Sequence, residues 1–306
     1  MRRRIGGILL LVAPFLAGVA GLGRGESSPG LYELTARSDL TVSVRVVSGS
    51  LKLALVEVQE VFRGAARPKQ RLQVAFRDFN MTLGKEDRIV FEDGEADILF
   101  LVPEVNLEGR RKGDDRFTLY RGRFGRFTLP REGEDAYLEA IREFARLCSL
   151  KDHRRLFGEL KDLLHSSNPL LVDAGLQEIG RLELMDQDLV PAALGFFQDP
   201  SPQRRAGALN LLARFFELSR DKVGRPDLQD EVLPPVQALA RNDPEEAVRV
   251  AAVKALGAWG GAAVVPTLKE IAKQDPSQAV RYEADVILLR SAEKGKTPPP
   301  GGGRNP

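Results

Sequence analysis

Between Leu31 and Leu129 apolar residues tend to recur at every second position. Leu40, Val42, Val44 and Val46 alternate with mostly polar neighbours. Leu51, Leu53 and Leu55 keep the rhythm through a mixed run to Phe62, and Leu72, Val74 and Phe76 repeat it. Side chains on a strand point alternately to its two faces, so this period predicts half-buried strands. Ile98-Leu99-Phe100-Leu101-Val102 is apolar without a break, the pattern of a strand covered on both faces. Phe117 and Leu119, then Phe124, Phe127 and Leu129, flank Gly122 and predict a hairpin. Turn residues separate the runs at 64–68, 92–94 and 109–115. Five or six antiparallel strands in about 100 residues predict a small closed barrel or sandwich over residues 31–131.

From residue 135 the period lengthens to that of a helix. Tyr137, Ile141, Phe144, Ala145 and Cys148 share one helical spacing. A short phrase then recurs: Asp199-Pro200, Asp243-Pro244 and Asp275-Pro276, each with an arginine six residues after the aspartate, at Arg205, Arg249 and Arg281. Asn168-Pro169 opens an earlier, divergent copy. Aspartate accepts the free N–H groups of a first helical turn, and proline is tolerated where its missing donor is not needed. Each doublet therefore predicts the start of the second helix in a pair. Val190-Pro191, Leu233-Pro234 and Val265-Pro266 lie eight or nine residues before the next doublet and predict the first turns of the first helices. The starts are spaced by 31, 44 and 32 residues, and the long interval places an inserted loop over 219–230, with Gly224 and Pro226. Units that cannot bury an apolar face alone stack into a solenoid. The fold class is thus α+β and multidomain: a β domain over 31–131, an α-solenoid over 135–292 and a disordered tail over 293–306.

The stretch 243–257, reading Asp-Pro-Glu-Glu-Ala-Val-Arg-Val-Ala-Ala-Val-Lys-Ala-Leu-Gly, resembles the second helix of a HEAT repeat of the short bacterial type. Stretches 275–289 and 199–213 match it less fully, and Arg204 stands where the others have Val248 and Val280. The resemblance covers about 151–292 and implies antiparallel helix pairs with two curved faces. It also implies a structural role for Asp199, Arg205, Asp243, Arg249, Asp275 and Arg281, with each arginine pairing with cap acids and carbonyls along the stack. Aligning the second helices puts Val248 and Val280 in the core, Val250 opposite Tyr282 and Val253 opposite Asp285. The alignment sets Val250, Val253, Tyr282 and Val286 in one apolar strip, which either is covered by neighbouring helices or the other domain, the preferred reading, or faces outward and docks a protein partner. The β region, through strings such as Val58-Gln59-Glu60-Val61-Phe62-Arg63-Gly64 and Tyr120-Arg121-Gly122-Arg123-Phe124, is similar to OB-like barrels of the netrin type. The cysteines of the netrin type are absent, so no inhibitor mechanism carries over.

The two ends change the picture of where the chain acts. Arg2, Arg3 and Arg4 precede an apolar stretch at 8–19, and Gly18-Val19-Ala20 supplies small residues. This is the pattern of a secretory signal peptide over residues 1–20, short for a membrane span of about 20 residues. Export to the periplasm or the outside is expected, with an uncleaved anchor as the alternative and no membrane span after cleavage. Whole-chain charge is +2, with 45 basic and 43 acidic residues. Residues 1–20 hold three arginines and no acid, so the remainder carries a slight negative balance that gives no support to nucleic-acid binding. A lone cysteine, Cys148, cannot form an intramolecular disulfide and reads as a small buried hydrophobe.

Candidate chemistry is sparse. His153 and His165 lie twelve apart without cysteine or carboxylates at metal spacing, and no Gly-x-Ser-x-Gly elbow or phosphate-binding glycine loop occurs. No cofactor, no metal and no enzymatic activity are expected. The acidic run Glu92-Asp93-Gly94-Glu95-Ala96-Asp97 lacks ordered calcium-ligand spacing and reads as a solvated turn. Arg121, Arg123 and Arg126 interleave with Phe117, Tyr120, Phe124 and Phe127, a pattern that grips a polyanion or else lays aromatics inward and arginines outward. Asn80-Met81-Thr82 matches a glycosylation acceptor. The expected function is a non-enzymatic exported scaffold that binds a protein of the cell envelope through its solenoid. Alternatives are a glycan-, lipid- or polyanion-binding barrel, or a solenoid enzyme such as a lyase or DNA-repair glycosylase, which the leader opposes.

Overall fold

A computed structural model describes residues 29–50, 52–76, 89–130, 132–182, 185–219 and 226–294. The expected leader, the Asn80 acceptor and residues 295–306 of the expected tail lie outside the described residues.

Six strands follow the alternating pattern: β1 (Leu40–Gly49), β2 (Leu53–Arg63), β3 (Arg71–Ala75), β4 (Ala96–Pro103), β5 (Arg116–Leu119) and β6 (Arg126–Thr128). Five of them close a barrel in the order β1-β2-β3-β5-β4, with β4 returning to β1. All pairings are antiparallel except β3–β5, which is parallel, a departure from the all-antiparallel expectation. The inward residues Val42, Val44, Val56, Val58, Leu72, Val74, Leu99 and Leu101 share the barrel core. In β4 the odd residues fill the barrel, while Ile98 and Phe100 belong to the core of the helical half. That double burial explains the unbroken apolar run: both faces of this strand are covered by protein.

The expected hairpin at Gly122 is replaced by an interrupted strand. β5 pairs with β4 at Leu101–Pro103 and β6 pairs with β4 at Asp97–Leu99, so both run along the same partner in the same direction. Residues 120–125 are extruded between them opposite Phe100, with a short 3-10 turn at Gly122–Gly125. Arg121 (φ 52°) and Gly122 (φ 61°) are both left-handed and turn the chain outward. Gly125 brings it back: a Cβ there would lie 2.5 Å from the Tyr120 carbonyl oxygen and 3.0 Å from that of Phe100.

The first element is a helix, α1 (Leu31–Arg37), where the sequence pattern was continuous with the strands. Arg63 Nη1 lies 2.6 Å from the carbonyl oxygens of Thr35, Ala36 and Ser38, placing a cation at the C-terminal end of α1. Leu34 of α1 shares a core with Ala140, Ile141 and Phe144 of α2 (Glu134–Cys148). Arg142 of α2 makes a two-pronged bond to Glu60 of β2, at 2.8 and 2.7 Å. One apolar core therefore runs from the outer face of β4 through α2 into the array beyond.

The array continues as α3 (His153–Leu163), α4 (Pro169–Ile179), α5 (Leu189–Gly195), α6 (Pro202–Leu218), α7 (Pro226–Asn242), α8 (Glu246–Trp259), α9 (Val265–Gln274) and α10 (Gln278–Lys294). Pro191 and Pro266 fall in first turns, as the spacing predicts. Pro234 does not: α7 starts at Pro226, so Pro234 and Pro235 lie in its interior and the expected loop over 219–230 ends earlier. Helix α10 likewise runs to Lys294, two residues into the expected tail. No helix among the described residues is long and apolar enough to cross a membrane.

Candidate functional site

The second helices of successive pairs, α4, α6, α8 and α10, line a groove of about 1000 Å³, to which α5, α7 and α9 contribute nothing. What sets these helices side by side begins in the doublets. Asp199 Oδ1 accepts the Ser201 N–H at 2.8 Å, Asp243 Oδ1 accepts the Glu245 N–H at 2.9 Å, and Asp275 Oδ1 accepts the Ser277 N–H at 2.8 Å. Each carboxylate thus closes an Asx turn onto the residue two places on. The helices α6, α8 and α10 start three residues after the aspartate, so the expected arrangement, with aspartate as cap and proline at the first helical position, is corrected. The bonded turn keeps Asp199 and Asp275 extended (ψ 137° and 135°) and delays the helix. Asn168 alone is followed at once by its helix, with Pro169 at the first position and Oδ1 accepting the Leu170 N–H at 3.0 Å.

The arginines join the turns into a ladder. Arg205 Nε and Nη2 donate to the two Asp243 oxygens at 2.8 and 2.9 Å, while Nη1 donates to the Asp199 carbonyl at 2.9 Å. Arg249 repeats the arrangement, with Asp275 at 2.9 and 3.2 Å and the Asp243 carbonyl at 2.9 Å. Each guanidinium closes its own turn and clamps the next repeat. Burial pushes the Asp243 carboxyl up, but the Arg205 fork, the Glu245 N–H and the nearby cations outweigh it and leave the group below its ordinary range. Arg281 makes only the first half of the pattern, donating from Nη1 to the carbonyls of Asp275 (2.6 Å) and Pro276 (3.1 Å). At the other end the residue six after Asn168 is Ala174. There Asn168 Nδ2 reaches back to the Ala136 carbonyl (2.8 Å) and to Glu139 (3.0 Å) of α2, tying the array to the helix beside the barrel.

Along the groove the small residues Ala206, Gly207 and Ala213 of α6 and Gly257 and Ala258 of α8 stand beside Leu176, Leu211 and Ile287. A Cβ at Gly257 would lie 2.7 Å from Ile287 Cδ1, so the glycine is what lets α8 and α10 approach. Polar side chains rise at the rim. Asn210 and Lys254 are exposed and have no hydrogen bond or ion pair within the described residues. Such a surface keeps the lining low at Ala206 and Ala213 and offers an incoming segment amide and ammonium donors. Sequence reading passed over both residues, although they are 44 apart, the same offset as Asp199 and Asp243, and so share one place in the repeat.

The expected apolar strip is not continuous. Val253 is fully buried (0% exposed), Val250 is half-buried against the core, Val286 is half-buried and Tyr282 is 68% exposed. Asp285, which aligns with Val253, is exposed. One register position is interior in α8, where another repeat follows, and exterior in α10 at the far end of the array.

The arginine cluster of the barrel is also rearranged. Arg126 turns inward, bonding Asp97 at 2.9 Å, the Glu95 carboxylate and the Val90 carbonyl, and lying over the Phe91 ring. Arg121 lies 3.8 Å from Glu33, and Arg123 lies over the Phe124 ring. The three therefore do not form one outward-facing set. Burial holds Asp97 above its ordinary range against the pull of Arg126. The acidic turn at 92–97 is internally occupied: Asp93 accepts the Gly49 N–H, and Glu95 accepts both the Glu92 N–H and Arg126. Cys148 is half-buried on α2, where burial raises its thiol pKa. Among the described residues no group of three His, Cys, Asp or Glu side chains could hold a metal ion.

Residues 197–288 match the family model of HEAT repeats. No curated protein and no solved structure matches the chain. The fold is α+β: a closed five-strand barrel followed by a helical solenoid with HEAT repeats in its C-terminal part.

Proposed function

We propose that the protein is a non-enzymatic scaffold that holds a segment of another protein in the groove of its second helices. The observation that carries this reading is the groove itself: small residues along it, and Asn210 and Lys254 at its rim without intramolecular partners among the described residues. HEAT arrays generally serve protein interaction, which supports the same reading. The basic start and the apolar stretch at 8–19 support export, so the partner is a protein of the cell envelope and the working compartment is periplasmic or extracellular. The strand order with a parallel β3–β5 closure supports an OB-type barrel. Joined to α2 through one core, that barrel anchors the first end of the array.

The test is to fill the groove. Asn210→Trp, at an exposed position of the groove, should abolish co-purification of the envelope partner with the tagged full chain while the melting temperature stays within about 3 °C, the scale of a surface change. Unchanged co-purification would overturn the groove reading. Recovery of the protein only in the cytoplasmic fraction would overturn the export reading.

A further inference from the structure

The far end of the array is built like an internal repeat but has nothing stacked on it among the described residues. In α8 the positions of Val250, Val253 and Gly257 are covered: Val250 packs on the core, Val253 is 0% exposed, and Gly257 meets Ile287 of the next repeat. Shifted by the 32-residue repeat, the same positions in α10 are Tyr282, Asp285 and Leu289, and all three are exposed. Tyr282, Val286 and Leu289 stand at helical spacing on one side of α10, while Glu283, Ile287 and Arg290 line the groove on another. Solenoids normally end in a repeat with a polar outer face, because an apolar one associates. Beside this apolar stripe, Arg281 Nε and Nη2 have no acceptor among the described residues, whereas the same atoms of Arg205 and Arg249 each hold a carboxylate pair.

We infer that the α10 end is a second docking site, taking an apolar helix of another protein with an aspartate or glutamate in the turn that leads into it. Arg281 clamps that carboxylate as Arg205 and Arg249 clamp the turns that follow them. Tyr282, Val286 and Leu289 cover the apolar face of the incoming helix, and Asp285 selects for a cation on it. Asp285 also sets this surface apart from the internal interfaces, where an aliphatic side chain stands at the same position. In a second copy Asp243 and Asp275 are already held by two-pronged bonds from Arg205 and Arg249, and Asp199 is half-buried with a single 3.5 Å contact from Arg204. Residues 295–306 contain no acidic side chain. The site is separate from the groove, so an empty groove leaves it standing and an occupied groove does not establish it.

The experiment places a photo-crosslinking phenylalanine analogue at residue 282 of the full chain in intact cells and maps the adduct by mass spectrometry. The expected result is a heterologous adduct on a helix with an acidic residue in the turn before it, reduced at least about tenfold by Arg281→Glu and by Leu289→Glu, as loss of a central charged or apolar anchor does. Arg281→Glu together with a basic residue at the mapped partner acid should restore it. Leu289→Glu covers the case in which the arginine variant is unstable. Absence of an adduct, an adduct to a second copy or to this same chain, or an adduct indifferent to both variants would overturn the inference.

Discussion

Two arginines in the same sequence phrase should differ widely in what they contribute. Arg249 is buried (7% exposed), and its fork holds Asp275, whose side chain is only 3% exposed. Removing one member of a buried, hydrogen-bonded pair strands the other, at about 3–5 kcal/mol. Arg249→Ala also opens the bond to the Asp243 carbonyl, so its cost belongs at the upper part of that range. Arg281 makes the equivalent carbonyl bonds but holds no carboxylate, so Arg281→Ala should cost about 1 kcal/mol, the net worth of ordinary hydrogen bonds. At about 2–4 °C per kcal/mol for an array of this size, the melting temperature should fall by about 8–20 °C in the first variant and about 2–4 °C in the second. Circular dichroism at the helical minimum, on the full chain at neutral pH, reads both. A double-mutant cycle of Arg249→Ala with Asp275→Asn should show coupling above about 1 kcal/mol. Equal shifts for Arg249→Ala and Arg281→Ala, or additive behaviour in the cycle, would refute the reasoning that the fork joins repeats.

The Asp243 carboxyl is depressed in the folded state, so its contribution is present above the unfolded value of about 3.9 and is lost as pH falls through the lower folded value; urea midpoints measured between about pH 2 and 5 should decline less steeply in Asp243→Asn than in the parent. Gly125→Ala should destabilise the barrel by about 2–3 kcal/mol, because the new Cβ meets the backbone of Tyr120 and Phe100, whereas Gly94→Ala, with open space but φ of 85°, should cost about 1 kcal/mol; equal losses in chemical denaturation would count against the extruded-loop geometry. Cys148 should react with a thiol reagent at pH 8 at least about tenfold more slowly than a free cysteine until the chain is unfolded, since burial raises its pKa and covers it.

Much of the architecture was legible in the chain because burial and periodicity coincide there. β1 reads clearly since Val42, Val44 and Val46 face the barrel core, and β4 reads as an unbroken run because one face meets the barrel and the other meets α2. Where the reading went astray, the missing information was tertiary. Phe117 through Leu129 looks like a hairpin because glycine and alternation are local, but which strand each half pairs with is decided by β4. Seven residues at Leu31–Arg37 carry too short a pattern to separate helix from strand, and the cation at the C-terminal end of α1 comes from Arg63, far along the sequence. Aspartate followed by proline marks each second helix but not its first residue, since the side chain can bond the N–H two places on before the helix begins. Val253 and Asp285 share a repeat position, and only the order of stacking makes one interior and the other exposed. The groove was invisible for the same reason, because Asn210 and Lys254 become neighbours in function only when α6 and α8 stand side by side.

The scaffold reading meets its most direct test in crosslinking from two faces of the array in intact cells. One photo-crosslinker replaces Asn210 on the groove rim; the other replaces Lys269, exposed on the first helix α9, which takes no part in the groove. A groove that holds a protein segment gives a discrete adduct from residue 210 and none of that mass from residue 269. Adducts of equal yield from both positions, or none from residue 210, would contradict it.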